Sequence, residues 1–448
     1  MLRFDGTRQN SPTDVEEFFR MTKKSVFDKP FVDFPDLIDV LKKRGLTIIN
    51  DFQAIDLLKD YGYYKLINGY KKNYQQSPSN GDETFIPGAT MDQLFAQFVL
   101  DSQFQELFLT TVFPVENHFK NLIGYEVAKK FGVNNFTKDD PKNPDPKVQS
   151  YLHPDNYTGS TRNDVVSYIH NRVLDSDDNP VAYYKTHKNH IPPWIMMSNM
   201  TLGSAVRYFQ ILPKSLKTNI VQEIVDPIDG EDIGAKKELV TIGFEILRQF
   251  RNASAHSNPL YLYKAKLESN PSPRIMSTYI GSGIVRKKSL VGRNDLFSAL
   301  LFLLMLTQKP VRRSLFIQSL QDIEDSYLFD ENDFTTSVYN DYLINSGLPV
   351  NYIEQLRKAN VELTKHSKIH SQITVTSTSG DSLNVPLILN RHPSGSVAQE
   401  QTVWVTKRGK SYHHSKECAA LKTSSQEPYE ITLIDAQSKG LTKCKREK

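Results

Sequence analysis

Residues 91–132 carry the feature that most constrains the fold. This stretch, MDQLFAQFVLDSQFQELFLTTVFPVENHFKNLIGYEVAKKFG, places apolar residues three and four positions apart, which is the spacing that lines one face of an α-helix. The same spacing occurs earlier, in DLIDVLKKRG and AIDLLKDYGYYKLINGY, and later, in IMMSNMTLGSAVRYFQIL, KKELVTIGFEILRQFRNASAH, NDLFSALLFLLMLTQ and RRSLFIQSLQDI. The sequence therefore predicts one large, mostly helical domain.

The chain has 448 residues, more than a single hydrophobic core usually serves, so we expect smaller units beside the helical domain. We assign residues 1–30 to a polar leader, 31–347 to the helical domain, 348–400 to a hairpin and linker, and 401–448 to a small basic Cys/His module. The hairpin is predicted from the β-branched residues and SGD turn of ITVTSTSGDSLNVPLIL, and the linker from NRHPSGSVAQEQ. The predicted fold class is mainly α, with a small C-terminal α+β extension.

Several function classes are made improbable by composition. The chain holds two cysteines, Cys418 and Cys444, which is the wrong usage for a secreted disulfide scaffold. No run approaches 18 consecutive apolar residues, and the N-terminus lacks the pattern of an export signal. We therefore expect a cytoplasmic protein without a membrane association. A formal charge of +4 and a pI near 8.6 are compatible with a polyanionic partner but do not identify one.

The stretch RQFRNASAH, residues 248–256, places an arginine, an asparagine and a histidine within six positions near the end of a predicted helix, residues 237–257. At about 100° per residue, Asn252 and His256 share a polar stripe that also carries Thr241, Glu245, Arg248 and Gln249. Arg251 lies instead in line with the apolar positions Val240, Phe244, Leu247 and Ala255. An arginine on that face needs a partner, because an unpaired buried charge is costly.

Two interpretations of Arg251 remain open at this stage. In the first, it pairs with an internal acid or extends past the helix end, while Asn252 and His256 cap nearby backbone. In the second, the three side chains form an anion site in an interhelical cleft, where a planar cation, an amide and an imidazole converge on a phosphate. Residue spacing cannot separate these two interpretations.

RNASAH resembles the Arg-Asn-x-x-Ala-His signature of the Abi-like family of bacterial abortive-infection proteins, part of the HEPN superfamily of helical ribonucleases. Three further blocks resemble the family in the expected order: GLTIINDFQAIDLLKDYGYYKLINGY with its paired Tyr63 and Tyr64, FIPGATMDQLFAQFVLDSQFQELFLTTVFPVENHFKNLIGYEVAKKFG, and IPPWIMMSNMTLGSAVRYF. Together the blocks cover residues 36–310. Family members often continue with a second His and an Arg-Leu-Trp-Asn run, whereas this chain reads HSNPLYLY. The resemblance therefore covers the Arg, Asn and His, but not the auxiliary contacts around the scissile phosphate.

The resemblance implies an HEPN-type helical domain that cleaves RNA without a metal or other catalytic cofactor, leaving a 2′,3′-cyclic phosphate. His256 would be the base or acid, Arg251 the phosphate clamp, and Asn252 would orient the imidazole or the substrate. Base and acid lie on opposite sides of an in-line reaction, and one motif supplies one imidazole. We therefore expect a homodimer in which two RNASAH helices face a shared cleft.

The resemblance also implies a role in phage defence and a structured noncoding RNA as a partner. Activity is not common to all HEPN proteins, so a second hypothesis stands beside the first. In it, the protein is a catalytically silent RNA-binding protein that uses Arg251 and His256 to grip RNA.

The last segment, KRGKSYHHSKECAALK followed by ITLIDAQSKGLTKCKRE, resembles a short module at the ends of various bacterial proteins. That module has the pattern Tyr-His, Cys, an Ala…Gly segment and Pro-Cys-x-x-Cys. Here Lys443 stands at the Pro position and Glu447 at the last Cys position.

The module suggests a structural zinc ion, which takes about four ligands in a tetrahedron. His413 or His414, Cys418 and Cys444 would supply three, and Glu447 would be a poor fourth. The alternative is a degenerate module that folds without metal. Its excess of Lys and Arg suits RNA contact, although such a tail can equally be a solvated surface.

Overall fold

The computed structural model describes residues 31–76, 84–228, 230–328, 333–365, 372–376, 382–386, 402–406, 411–413, 415, 418–422, 428–432 and 442–444. The chain divides into two units, residues 1–387 and 388–448. The predicted leader, residues 1–30, and the predicted linker NRHPSGSVAQEQ lie outside the described residues.

The first unit opens with two short helices and a small β-ribbon. Its elements are α1 (Phe34–Lys43), α2 (Asp51–Tyr61), a π-helical turn (Tyr64–Asn68), a 3₁₀ turn (Lys71–Tyr74), and the antiparallel strands β1 (Gln75–Gln76) and β2 (Thr84–Phe85). The long helix α3 (Met91–Phe131) follows.

Residues 133–192 contain a 3₁₀ turn (Pro154–Asn156), α4 (Arg162–Tyr168) with a π-helical turn (Ile169–Val173), and α5 (Val181–His187). The remaining helices are α6 (Pro193–Ser198), α7 (Leu202–Ile211), α8 (Lys214–Ile224), α9 (Ile233–Ala255), α10 (Pro273–Ile280), α11 (Leu296–Leu306), α12 (Pro310–Leu328), α13 (Asp333–Ser346) and α14 (Tyr352–Lys365). The mainly α prediction is confirmed.

Helix α3 is the element around which the first unit packs. At 41 residues it is about 60 Å long, and it contacts α6, α8, α9, α11, α12 and α13. Its start is fixed by a capping box, in which the Thr90 hydroxyl accepts from the Gln93 backbone and the Gln93 side chain accepts from the Thr90 backbone.

Helix α11 is the most buried element. All 11 of its residues, LFSALLFLLML, are buried, as expected for a helix that is apolar on every side. It packs directly on α9, where a Cβ added to Gly243 would lie 2.5 Å from the Phe302 ring. Glycine at this position lets the two helices approach closely. No helix among the described residues is long and apolar enough to cross a membrane.

Residues 348–400 differ in part from the sequence-based assignment of a hairpin and linker. The strands β3 (Gln372–Thr376) and β4 (Ser382–Pro386) do form an antiparallel hairpin. Before it, however, α14 packs on α10, α11 and α12 with Tyr352, Leu356 and Ala359 buried. The buried residues of α14 recur at helical spacing in YIEQLRKANVELTK. This pattern was available in the sequence, but the predicted domain boundary at residue 347 left the segment outside the helical domain.

The second unit is small and mixed, as predicted. Its strands pair as β5 (Thr402–Val405) with β7 (Tyr429–Thr432), antiparallel, and β6 (Ser411–Tyr412) with β8 (Thr442–Lys443), parallel. One short helix, α15 (Ala419–Lys422), lies between β6 and β7.

A buried carboxylate on α3 joins distant parts of the first unit. Asp101 is 0 % exposed. Its oxygens accept hydrogen bonds from the hydroxyls of Tyr70 and Tyr342, the Gln105 amide, and the backbone N–H groups of Leu260 and Tyr261, over 2.7 to 3.1 Å. Burial raises the pKa of the Asp101 carboxyl, and the hydrogen bonds it accepts oppose that rise. The residue therefore ties α3 to the segment before it, to the loop after α9, and to α13.

We expect Asp101→Ala to lower the free energy of unfolding by about 3 kcal/mol or more, because each buried donor left unsatisfied costs roughly 1–3 kcal/mol. Asp92→Ala, which removes an exposed carboxylate from the same helix, is the matched control and should change the free energy by less than about 1 kcal/mol. Urea denaturation followed by circular dichroism measures both. Equal losses in the two variants would show that Asp101 does not organise the core.

Candidate functional site

The RNASAH motif lies at the C-terminal end of α9. The helix starts at Ile233, where the Asp232 carboxylate accepts from the backbone N–H groups of Gly234 and Ala235. It ends at Ala255, with His256 as its C-cap. The predicted span, 237–257, therefore began late and ran slightly too far.

The helix end has a defined geometry. Ser257 adopts φ 52°, in the left-handed region, its N–H donates to the Ser254 carbonyl, and the Asn258 N–H donates to the Ala253 carbonyl. These two bonds form a Schellman motif, which satisfies the last carbonyls of the helix and turns the chain. The turn ends the helix, and it leaves the His256 side chain exposed.

The segment after the motif, where the chain departs from the family pattern, is held against the rest of the unit. The Asn258 carbonyl accepts from the Gln105 amide at 3.2 Å, and the Tyr261 hydroxyl donates to the Gly69 carbonyl at 3.1 Å. The rings of Tyr261 and Tyr70 stack at 5.3 Å. With the bonds to Asp101 described above, these contacts fix the position at which the motif leaves α9.

Arg251 lies on the apolar side of α9, as the helical wheel predicted. Val240, Phe244 and Leu247 are each at most 1 % exposed, whereas the Arg251 side chain keeps 30 % of its surface exposed. Its guanidinium sits 5.8 Å from the centre of the Phe113 ring, which lies on the exposed side of α3. The arginine therefore occupies the border between the core and solvent.

The acid partner of Arg251 is Glu116 of α3, a residue that sequence reasoning did not identify. Arg251 Nε lies 3.8 Å from Glu116 Oε2, and Glu116 Oε1 lies 3.4 Å from Lys120 Nζ. One carboxylate thus faces two cations, which leaves one positive charge in excess. The available signal was the (i, i+4) pair Glu116/Lys120, which falls on the buried side of α3.

The contact with Glu116 does not satisfy all the hydrogen-bond donors of the Arg251 guanidinium. At 3.8 Å the pair is too long for a hydrogen bond, and Arg251 Nε has no hydrogen-bond partner among the residues described. Arg251 Nη1 donates to Asn252 Oδ1 at 3.4 Å. The first interpretation of Arg251, pairing with an internal acid, therefore holds in part, and the guanidinium keeps N–H donors for a further anion.

The structure brings Arg251 and Asn252 into side-chain contact, and it places His256 one turn further along the helix. The His256 backbone N–H donates to the Asn252 carbonyl at 3.1 Å. Within the described part of the chain, no hydrogen bond or ion pair joins the His256 imidazole to Arg251 or Asn252. The imidazole is therefore available to a ligand but has no orienting partner among the residues that the structure describes.

The second unit brings three of the predicted metal ligands together. The parallel register pairs Ser411 with Thr442 and Tyr412 with Lys443, so His413 and Cys444 follow the two strands at the same level. The Cys444 N–H donates to the Tyr412 carbonyl at 3.0 Å. Cys418 directly precedes α15.

The ligand atoms of His413, Cys418 and Cys444 lie within 4.8 Å of one another, and all three residues are buried. An imidazole nitrogen with two sulfurs is a donor set that suits Zn²⁺. The other two predicted ligands, His414 and Glu447, lie outside the described residues.

The fold and site define a mainly helical protein with an Arg-Asn-x-x-x-His motif at the end of a core helix. Residues 56–262 match the family model described as Abi-like protein, a range that contains α3, α9 and the whole motif. Over this region the chain is similar to the Abi-like family. No curated protein and no solved structure matches it.

A stability comparison tests how firmly Arg251 is held. We expect Lys120→Met to lower the free energy of unfolding by about 2 kcal/mol or more, because it removes the closer, more buried partner of Glu116. Arg251→Met should cost about 1 kcal/mol or less, as expected for a partly exposed and loosely paired arginine.

Both variants keep an unbranched apolar stem, so the comparison isolates the charged groups. The measurement is urea denaturation of the full chain. If Arg251→Met lowers the free energy of unfolding as much as Lys120→Met does, Arg251 is a structural ion-pair partner that has no free donor for a ligand.

Proposed function

We propose that this protein is a metal-independent endoribonuclease of the HEPN superfamily. The match of residues 56–262 to the Abi-like family supports a role in abortive infection, a form of phage defence. The observation that carries the proposal is the Arg251 guanidinium, which is partly buried, incompletely hydrogen-bonded and located five positions, about 1.4 helical turns, before an exposed His256.

The proposed reaction is a displacement at phosphorus. The 2′-hydroxyl of RNA loses its proton to a base and forms a bond to the adjacent phosphorus, while the bond from phosphorus to the 5′-oxygen breaks and that oxygen gains a proton from an acid. The products are a 2′,3′-cyclic phosphate and a 5′-hydroxyl. DNA lacks the 2′-hydroxyl and is therefore not a substrate.

Each residue of the motif has a role in this proposal. Arg251 binds the phosphate oxygens and stabilises the charge that develops on them. Asn252, in contact with Arg251, positions the substrate. His256 transfers a proton, and the His256 of a second protomer transfers the other, which is why we propose a homodimer as the active form.

We also propose that a structured noncoding RNA is bound to the protein as a partner. The support is the family match together with the mildly basic charge of the chain, which favours phosphate contacts.

In the second unit we propose a structural zinc ion held by His413, Cys418 and Cys444. Such an ion would supply a cross-link between elements of a small fold rather than a catalytic group. The proposed cleavage does not use it.

The cleavage test uses the purified full chain and a fluorescent RNA in EDTA. We expect wild-type cleavage with cyclic-phosphate ends by mass analysis. His256→Ala should lower the rate by about 10²- to 10⁴-fold, because it removes a general acid or base, and should leave RNA binding nearly intact. Arg251→Ala should reduce both cleavage and binding. His153→Ala, which removes another solvent-accessible imidazole, and Arg312→Ala, which removes an exposed arginine of α12, are the controls.

Several outcomes would contradict the proposal. Wild-type activity in His256→Ala excludes this residue as the proton-transfer group, and a strict Mg²⁺ requirement excludes the metal-independent mechanism. RNA binding without cleavage leaves the alternative of a silent RNA-binding protein. Heterodimers of the two inactive variants should stay inactive, because the shared cleft then lacks one imidazole and one guanidinium. Restored activity would show that an intact Arg251 and an intact His256 from different protomers are sufficient for cleavage.

The zinc test is elemental analysis of the purified chain. We expect bound zinc that is lost in Cys418→Ser, with a drop in the melting temperature of the second unit, because removing one of three protein ligands weakens the cross-link. His153→Ala is the control and should keep its zinc. A full equivalent of zinc that survives Cys418→Ser would show that the ligands are assigned wrongly.

A further inference from the structure

A cavity lies beside the RNASAH motif, between α7, α9 and residues 266–269. Its volume is about 540 Å³, within the range of pockets that hold small ligands. The residues of α9 that line it include Thr241, Glu245 and Arg248, which belong to the same polar stripe as Asn252 and His256. Arg248 and Asn252 are four residues apart, so they are neighbours about 6 Å apart along the helix axis.

One wall of the cavity is built by a network of hydrogen bonds. Arg248 donates to both oxygens of Glu245, with Nε at 2.9 Å from Oε2, and the Gln249 amide donates to Glu245 Oε1 at 2.7 Å. Gln249 also pairs with the backbone of Lys266, donating to its carbonyl at 2.8 Å and accepting from its N–H at 2.9 Å. The network joins residues 266–269 to α9, and it pairs the charge of Arg248 with that of Glu245.

Two other charged side chains of the cavity are not committed in this way. Arg207 of α7 and Glu238 of α9 both line it and are exposed. Within the described ranges, neither side chain has a hydrogen bond or an ion pair. They offer a planar set of donors and a pair of acceptors to whatever enters the cavity.

The charges indicate what kind of ligand fits. Three carboxylates (Glu238, Glu245 and Glu268) and three cations (Arg207, Arg248 and Lys266) line the cavity. Their charges balance, which favours an uncharged ligand over a phosphate. A nucleobase, in contrast, is uncharged and carries both donors and acceptors on its edges. Arg251, which the proposed function takes as the phosphate clamp, follows Arg248 by three residues and lies on the adjoining face of α9.

We propose that this cavity receives a base of the RNA next to the cleaved phosphodiester, and that Arg207 and Glu238 read its edge as guanine. The inference rests on the proposed function, because it takes Arg251 as the phosphate clamp. Arginine bonds to O6 and N7 of guanine, the commonest base-specific contact of proteins. The carboxylate of Glu238 accepts from the N1 and N2 groups of the same base, so the pair addresses both edges.

The experiment maps cleavage sites in a randomised single-stranded RNA by sequencing the products. The wild type should show an excess of guanine at one position flanking the cut. Arg207→Ala and Glu238→Gln should each reduce that preference about tenfold, which is within the discrimination that one good bidentate contact provides. Arg207→Lys keeps the charge but loses the planar fork, and it should reduce the preference as Arg207→Ala does.

A binding measurement separates this inference from the proposed function. The His256→Ala chain is titrated with short RNAs that contain guanine, inosine or no purine, and the preference for guanine should again depend on Arg207 and Glu238. If the wild type cuts no RNA but this preference persists, the nuclease proposal fails and the cavity assignment stands.

Other results would overturn the cavity assignment. A preference for another base, or a guanine preference unchanged in both variants, would show that Arg207 and Glu238 do not recognise the edge of guanine. If Arg207→Ala weakens binding to all RNAs by the same factor as the control Arg312→Ala, Arg207 contributes only general electrostatic attraction.

Discussion

The carboxylate of Asp101 accepts hydrogen bonds from parts of the chain that are far apart in sequence. Tyr70 precedes the long helix, Leu260 and Tyr261 follow the motif helix, and Tyr342 lies on α13. A buried carboxylate is costly unless its lone pairs are satisfied, and here all the groups that face it through these bonds are donors. The contacts that satisfy it are the ones that position the chain immediately after His256, so the candidate site depends on this arrangement.

Helix α9 combines three surfaces in one element. Its apolar side packs on α11 and α3, its polar stripe lines the cavity, and its C-terminal turn carries the motif. Arg251 lies where the apolar side meets the C-terminal turn. It faces Glu116, whose carboxylate also lies near Lys120. A charge placed at such a border is sheltered enough to interact strongly and open enough to be reached by a ligand.

The sequence was sufficient to predict the helices with strong periodicity. A helical-wheel projection of the sequence also placed Arg251 among apolar residues. The sequence was also sufficient for the family, because RNASAH and its companion blocks are read directly from the chain. It could not identify Glu116 as the partner of Arg251, nor Asp101 as the acceptor for Tyr342, because such pairs depend on how helices pack and lie up to 241 residues apart. The cavity could not be predicted from the sequence for the same reason, since Arg207 and Glu238 come from different helices. Helix α14 could have been predicted from its apolar spacing.

The close fit of α9 against α11 has a consequence for the order in which the protein is made. Residue Gly243 leaves space for Phe302, and α11 is buried on every side, so the apolar side of α9 has no complete surface to pack on until Leu306 has left the ribosome. Domains emerge from their N-terminal end at a limited rate, and the RNASAH sequence is therefore synthesised well before its support. An incomplete chain that ends before Leu306 therefore carries the motif without the core that shapes it.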